Sequence, residues 1–132
     1  MNKIERKLVS WNEVEEAVSK IAIAIKEQHP NIDSLFGIAR GGLIPAVMLS
    51  HKLNIPLISK IRKNTLVVDD ISDSGNTLEG INAPNTAVLF HKPHTSKYIP
   101  TMHAEIHTGD QWLIFPWENP SAKMSQDYLE KK

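Results

Sequence analysis

Apolar positions along this chain follow two rhythms. Val14, Val18, Ile21 and Ile25 recur every three or four residues, the spacing of one helical face turned to a core. Ser10-Trp11-Asn12-Glu13 precedes them as a capping box, in which serine and glutamate side chains each take an N–H that the first turn leaves unbonded. His29-Pro30 ends this helix, because proline offers no N–H and clashes with the preceding turn. Leu43 to Leu53 reads as a second helix, with Pro45 in its first turn, where the missing N–H costs nothing. The other rhythm is the short continuous apolar run. Leu35 to Ile38, Leu57 to Ile61, Thr65 to Val68 and Thr86 to Phe90 read as buried strands, apolar on both sides and partly β-branched. Lys3 to Val9 reads as an extended segment. Asn76 to about Gly80 has room only for a short helix. His103 to His107 and Trp112 to Phe115 read as short strands. The residues after Pro120 are polar, with no more than a weak helix near Tyr128.

Strands alternating with helices predict an α/β fold with a mostly parallel sheet covered on both faces. Ligands of such sheets bind at the carboxyl ends of the strands. Two loops of unusual chemistry, Ala39-Arg40-Gly41-Gly42 and Asp69 to Gly75, both follow strands and are therefore expected on the same edge. The 132 residues correspond to one domain, and a chain of this size buries roughly two-thirds of its unfolded surface. No stretch approaches the roughly 18 apolar residues of a membrane span. The N-terminal residues lack an apolar signal core, so a cytoplasmic protein without a membrane partner is expected. Fifteen basic side chains balance 15 acidic ones, which argues against nucleic-acid binding driven by bulk charge. There is no cysteine, which excludes disulfides, thiol nucleophiles and cysteine-based zinc sites.

The chemistry is concentrated in Asp69-Asp70-Ile71-Ser72-Asp73-Ser74-Gly75-Asn76-Thr77. Adjacent carboxylates at a strand end can accept hydrogen bonds from a vicinal diol or from water on Mg²⁺. The turn that follows is small, rich in hydroxyls and leads into a helix. Its backbone N–H groups and the Ser74 and Thr77 hydroxyls can cradle a phosphate, and Gly75 permits close backbone approach. The whole suits a ribose 5-phosphate. The plainer alternative is an acidic strand-to-helix turn in which an aspartate caps the helix.

Leu66 to Thr77 closely resembles the phosphoribosyl-pyrophosphate (PRPP) motif of type I phosphoribosyltransferases. Phe36 to Leu43 is similar to their pyrophosphate loop. Val9-Ser10-Trp11, Phe90-His91-Lys92-Pro93 and the segment Asp110 to Glu118 resemble the xanthine–guanine, or 6-oxopurine, branch. The likeness spans about Lys3 to Glu118 in family order. It implies the type I phosphoribosyltransferase fold, with a core at about 10–90 and a hood from 3–9 and 91–118. The domain then spans 1–120 and 121–132 forms a polar tail. It also implies transfer of ribose 5-phosphate from PRPP to xanthine, guanine or hypoxanthine, with Mg²⁺ as cofactor and a homodimer or homotetramer as the assembly. Asp69 and Asp70 would hold the ribose hydroxyls or Mg²⁺, directly or through water. Asp73 would accept the proton near N7 of the base. Asp73, Ser74, Gly75, Asn76 and Thr77 would surround the 5-phosphate. Arg40 and Gly41 would bind pyrophosphate, with a non-proline cis peptide at that loop. Lys92 would donate to the 6-oxo group, Trp112 would stack on the ring, and the Leu113 backbone would read the 2-position.

The chain departs from the family in length. Relatives carry a long mobile loop before the PRPP-motif strand, whereas here Ser59-Lys60-Ile61-Arg62-Lys63-Asn64 alone connects Ile58 to Thr65. Lys60, Arg62 and Lys63 are candidates to supply the missing positive charge, within a subunit or across a dimer. The lost lid keeps two alternatives in view: a non-catalytic PRPP or nucleotide sensor, and a hydrolase of activated ribose phosphates. For the lysines and tryptophans, plain surface or core roles compete with ligand roles. His91, His94, His103 and His107 cluster in one third of the chain, but without cysteine they do not make a zinc set.

Overall fold

The computed structural model describes residues 5–120. Its elements, in chain order, are β1 (Arg6–Leu8), α1 (Trp11–Gln28), β2 (Ser34–Gly37), α2 (Leu43–Leu53), β3 (Thr65–Ser72), α3 (Asn76–Ile81), β4 (Asn85–His91), β5 (Met102–Ile106) and β6 (Trp112–Ile114). The main sheet runs β2-β3-β4-β5, parallel throughout, and β1 pairs with β6 in a separate parallel ribbon. The expected tail beyond Pro120 lies outside the described residues, as does the start of the extended segment at Lys3.

The helix α1 forms where its sequence dictates. Glu13 N donates to Ser10 Oγ and Ser10 N donates to Glu13 Oε1, both at 3.1 Å. Its buried stripe is Val14, Ala17, Val18, Ile21, Ala22 and Ile25. That stripe joins Leu66, Val68, Ala87 and Leu89 in the larger core, while Val67 and Val88 point into a second cluster with Ile38 and Leu78 of α3. Alternate residues of one strand thus feed cores on opposite faces of the sheet. This is why β3 and β4 read as unbroken apolar runs.

Two expectations change. Leu57 to Ile61 is not a strand: only Leu57 makes a bridge, to Leu35. Leu35 N donates to Pro56 O and Ile58 N donates to Leu35 O, each at 2.9 Å. Pro56 has no N–H to extend the pairing, and the chain turns away so that Ile61 packs against the cluster around Leu78. Conversely β3 runs past the apolar residues through Asp69 and Asp70 to Ser72. There β4 lies alongside, pairing Ile71 with Phe90 and Ser72 with His91, and satisfies the backbone that a polar loop would have left to water. The paired carboxylates therefore stand on a strand.

Candidate functional site

The two chemically loaded loops meet at the carboxyl ends of β2 and β3. Asp70 is buried, and a Cβ placed on Gly41 would sit 2.0 Å from its Oδ2. A Cβ on Gly42 would sit 2.3 Å from Val68 O. The Asp70 carboxylate thus crowds Gly41 and the Val68 carbonyl crowds Gly42, so neither position has room for a side chain. The peptide between Ala39 and Arg40 is cis. Asp70 N donates to Asp69 Oδ1 at 2.9 Å. Burial pushes the Asp70 carboxyl up to about 6, and the negative charge of Glu118 adds to the effect. A buried carboxylate opposed by a second one is an environment that a cation would relieve.

Residues 69–78 line an open cleft. Gly75 sits at φ 84°, in the left-handed region that a side chain avoids. A Cβ there would meet Tyr98 N at 2.7 Å and Ser96 Oγ at 2.8 Å. The helix that follows has 6 residues, so its dipole is small, and the groups here that could cradle an anion are backbone N–H groups and the Ser74 and Thr77 hydroxyls. Asn76 N already donates to Ser74 Oγ at 3.2 Å.

Lys92 comes from the end of β4 and is 4% exposed. Its Nζ donates to Gln111 O at 2.8 Å and lies 3.5 Å from Asp73 Oδ2. A buried ammonium needs such partners, which rules out a solvated surface lysine. Trp112 and Leu113 follow on β6. Trp112 N donates to Glu5 O, and Val9 N donates to Ile114 O. In a parallel ladder alternate residues bond to a given neighbour, so the Leu113 N–H and C=O face away from β1. Trp112 and Trp117 differ in their packing. Trp117 stacks on Phe115 at 5.0 Å and meets Trp11 at 5.9 Å, which is core packing; Trp112 is outside that aromatic cluster.

Arg62 and Lys63 of the basic turn do not reach the site within one subunit. Asp33 N donates to Asn64 O and Thr65 N donates to Arg62 O, and Asn85 Nδ2 donates to Lys63 O. Arg62 and Lys63 therefore stand at the amino ends of the strands, opposite the cleft. Among the described residues no group of three or more histidine or acidic side chains could hold a metal. Burial chiefly pushes the His91 and His107 imidazoles below the usual histidine range, aided by His103 and by Lys92 respectively.

Sequence reasoning missed Thr95 and Gln111. Thr95 Oγ1 bonds to Asp73, and Gln111 acts only through its carbonyl. Neither residue type nor spacing signals these contacts, because both are made across the fold.

No family model matches the chain. A xanthine-guanine phosphoribosyltransferase of Cereibacter sphaeroides is 26% identical over 155 aligned positions, covering 92% of this chain and 89% of that protein. A solved purine phosphoribosyltransferase from Pyrococcus horikoshii Ot3 superposes with a TM-score of 0.76 at 30% identity, covering 91% of this chain and 99% of that one. The xanthine-guanine-hypoxanthine phosphoribosyltransferase of Helicobacter pylori shares the fold, with a TM-score of 0.74 at 21% identity over 97% of this chain and 100% of its own.

Proposed function

This chain belongs to the purine phosphoribosyltransferase family, and on that premise we propose that it transfers ribose 5-phosphate from PRPP to a 6-oxopurine. The products are a nucleoside monophosphate and pyrophosphate. The observation that carries the reading is the convergence of a buried ammonium, Lys92, on Asp73 at the end of the acid-bearing strand. The first gives a hydrogen-bond donor suited to a carbonyl, the second a proton acceptor beside it. The names of relatives such as that of Cereibacter sphaeroides support xanthine and guanine as substrates.

In this reading a ring nitrogen of the base forms the new bond to C1 of the ribose as the bond to pyrophosphate breaks. Positive charge grows on the sugar ring, as in other glycosyl transfers. Asp73 takes the proton that leaves the base near N7. Asp69 and Asp70 accept hydrogen bonds from the ribose diol. Ser74, Gly75, Asn76 and Thr77 receive the 5-phosphate, and Arg40 and Gly41 the pyrophosphate. Lys92 donates to the 6-oxo group, which disfavours adenine, whose amino group is itself a donor. Trp112 stacks on the ring, and the outward N–H and C=O of Leu113 pair at the 2-position.

The raised Asp70 carboxyl and its acidic neighbours fit Mg²⁺. Asp69 and Asp70 would hold it, and it would neutralise the departing pyrophosphate. Two carboxylates suit a cation that keeps waters and substrate oxygens in its shell. We further propose a cytoplasmic enzyme that self-associates. Among the described residues no helix is long and apolar enough to cross a membrane, and Leu43, Val47 and Leu57 are exposed, apolar surface of the kind that interfaces use.

The test is to incubate the protein with PRPP and Mg²⁺ plus xanthine, guanine, hypoxanthine, adenine or orotate, and to measure nucleotide and pyrophosphate. Nucleotide from the 6-oxopurines, lost at least about 100-fold in Asp73→Asn, is the expected result. Ligand binding without nucleotide would turn the assignment to a sensor. Pyrophosphate without nucleotide would turn it to a hydrolase.

A further inference from the structure

Residues 92–98, which leave β4 on the way to β5, run beside loop 72–75 as a strap. Lys92 N donates to Ser72 O and Lys97 N donates to Ser74 O, both at 3.0 Å. The Ser72 and Ser96 hydroxyls are 2.7 Å apart. At Asp73 the contact changes character and reaches the carboxylate. Thr95 Oγ1 lies 2.9 Å from Asp73 Oδ1 and 2.8 Å from Asp73 O. A hydroxyl has one proton, so it is shared between these acceptors. The other carboxylate oxygen, Oδ2, lies 3.5 Å from Lys92 Nζ.

We propose that Thr95 is a positioning residue that holds the Asp73 carboxylate open for the base and keeps its ion pair with the Lys92 ammonium long. The inference rests on the reading of Asp73 as proton acceptor and of Lys92 as donor to the base. Asp73 lies just past the end of β3 with its side chain 26% exposed, so nothing in the strand fixes its rotamer. Its natural partner is the adjacent buried ammonium. Ammonium–carboxylate bonds close to about 2.7–2.9 Å when unrestrained, and the ion pair here is stretched to 3.5 Å. Thr95 pulls on the opposite oxygen, Oδ1, while Gln111 O engages Lys92 from the other side at 2.8 Å. Without the Thr95 hydroxyl the carboxylate swings onto Lys92, and the two groups needed by the base satisfy each other instead.

The test is a steady-state comparison of Thr95→Val, Thr95→Ser, Asp73→Asn and the Thr95→Val/Asp73→Asn pair, with a melting curve for each. Valine keeps the shape of threonine and loses the hydroxyl; serine keeps the hydroxyl. The expected result is a kcat about tenfold lower in Thr95→Val with the PRPP KM within about twofold of the parent. Thr95→Ser should recover to within about threefold. In the Asp73→Asn background Thr95→Val should cost nothing further, since the group it positions is gone. A wild-type kcat in Thr95→Val, a serine variant as slow as the valine one, or a full additional loss in the pair overturns the proposal. A fully active Asp73→Asn overturns the underlying reading of Asp73 and this inference with it. That result is distinct from an inert Thr95→Val beside a disabled Asp73→Asn.

Discussion

The proposed ribose–phosphate subsite and the proposed base subsite are built in opposite ways. The first is local: residues 69–77 supply the carboxylates, hydroxyls and turn in one uninterrupted stretch, positioned by β3 and its pairing with β4. The second is assembled from distant parts. Lys92 comes from β4, Gln111 to Leu113 from the β6 region, and Thr95 from the strap between β4 and β5. A local loop keeps its geometry when the rest of the chain is shortened, and this compact chain retains it. An assembled site depends on every connection that brings its members together. The two ends should therefore fail differently when perturbed: at the ribose–phosphate end a substitution acts through one carboxylate or backbone contact, and at the base end through discrimination between purines.

The largest expected effect is at Asp70, and it appears as stability. Its carboxyl is raised from 3.8 to about 6 by burial and by Glu118. The neutral form is therefore the one the folded state favours. That advantage is fully present below about pH 4 and is lost as pH rises through about 6. At pH 7 the ionised group costs about 3 kcal/mol. Asp70→Asn removes the charge and keeps the shape. Thermal melts between pH 4 and 8, without PRPP or Mg²⁺, should show the variant more stable than the parent above pH 6. The difference should shrink to near zero by about pH 4. A gain that is the same at every pH would mean that burial of the charge is not its cause.

At the base end the expected loss is somewhat smaller and of another kind. Lys92→Met fills the buried volume but removes the donor proposed to meet the 6-oxo group. We expect kcat/KM for hypoxanthine to fall about 100-fold, while the PRPP KM stays within about twofold. Equal losses in both parameters would show that Lys92 supports the whole cleft, and the contrast between the two ends would collapse.

The same contrast sets what was legible in the sequence. The capping box at Ser10 and Glu13 and the stripe of α1 are encoded within a few residues, and both appear as read. The run Leu57 to Ile61 misled because a short apolar segment looks the same as a strand or as an edge strip. Only Pro56 and the turn that packs Ile61 against the Leu78 cluster separate them. The end of β3 was misjudged because its pairing with β4, and not its own polarity, decides where the strand stops. Lys92 was legible only by resemblance, since a lone lysine after a strand carries no sign that it will be buried. Thr95 carried no signal, because its role exists only once the strap crosses Asp73.

Trp112 and Trp117 offer the finest separation of ligand from core. They lie five residues apart in one segment, and composition treats them alike. Trp117 stacks on Phe115 with the ring planes 8° apart, and Phe115 in turn meets Phe90 at 5.7 Å. Replacing Trp117 with Leu removes these ring contacts and should cost about 2 kcal/mol of stability. The KM for the base should then change by less than about twofold. Trp112 belongs to no such cluster, and it adjoins the Gln111 carbonyl that holds Lys92. Trp112→Leu should leave the melting temperature within about 2 °C of the parent. It should raise the KM for the base about tenfold, the worth of one stacked ring at a half-open site. A melting curve and a base titration on each variant decide the matter. If Trp112→Leu melts early and Trp117→Leu loses the base, the ring that reads the substrate is the one buried among Trp11 and Phe115, and the base end lies deeper in the molecule than Lys92 indicates.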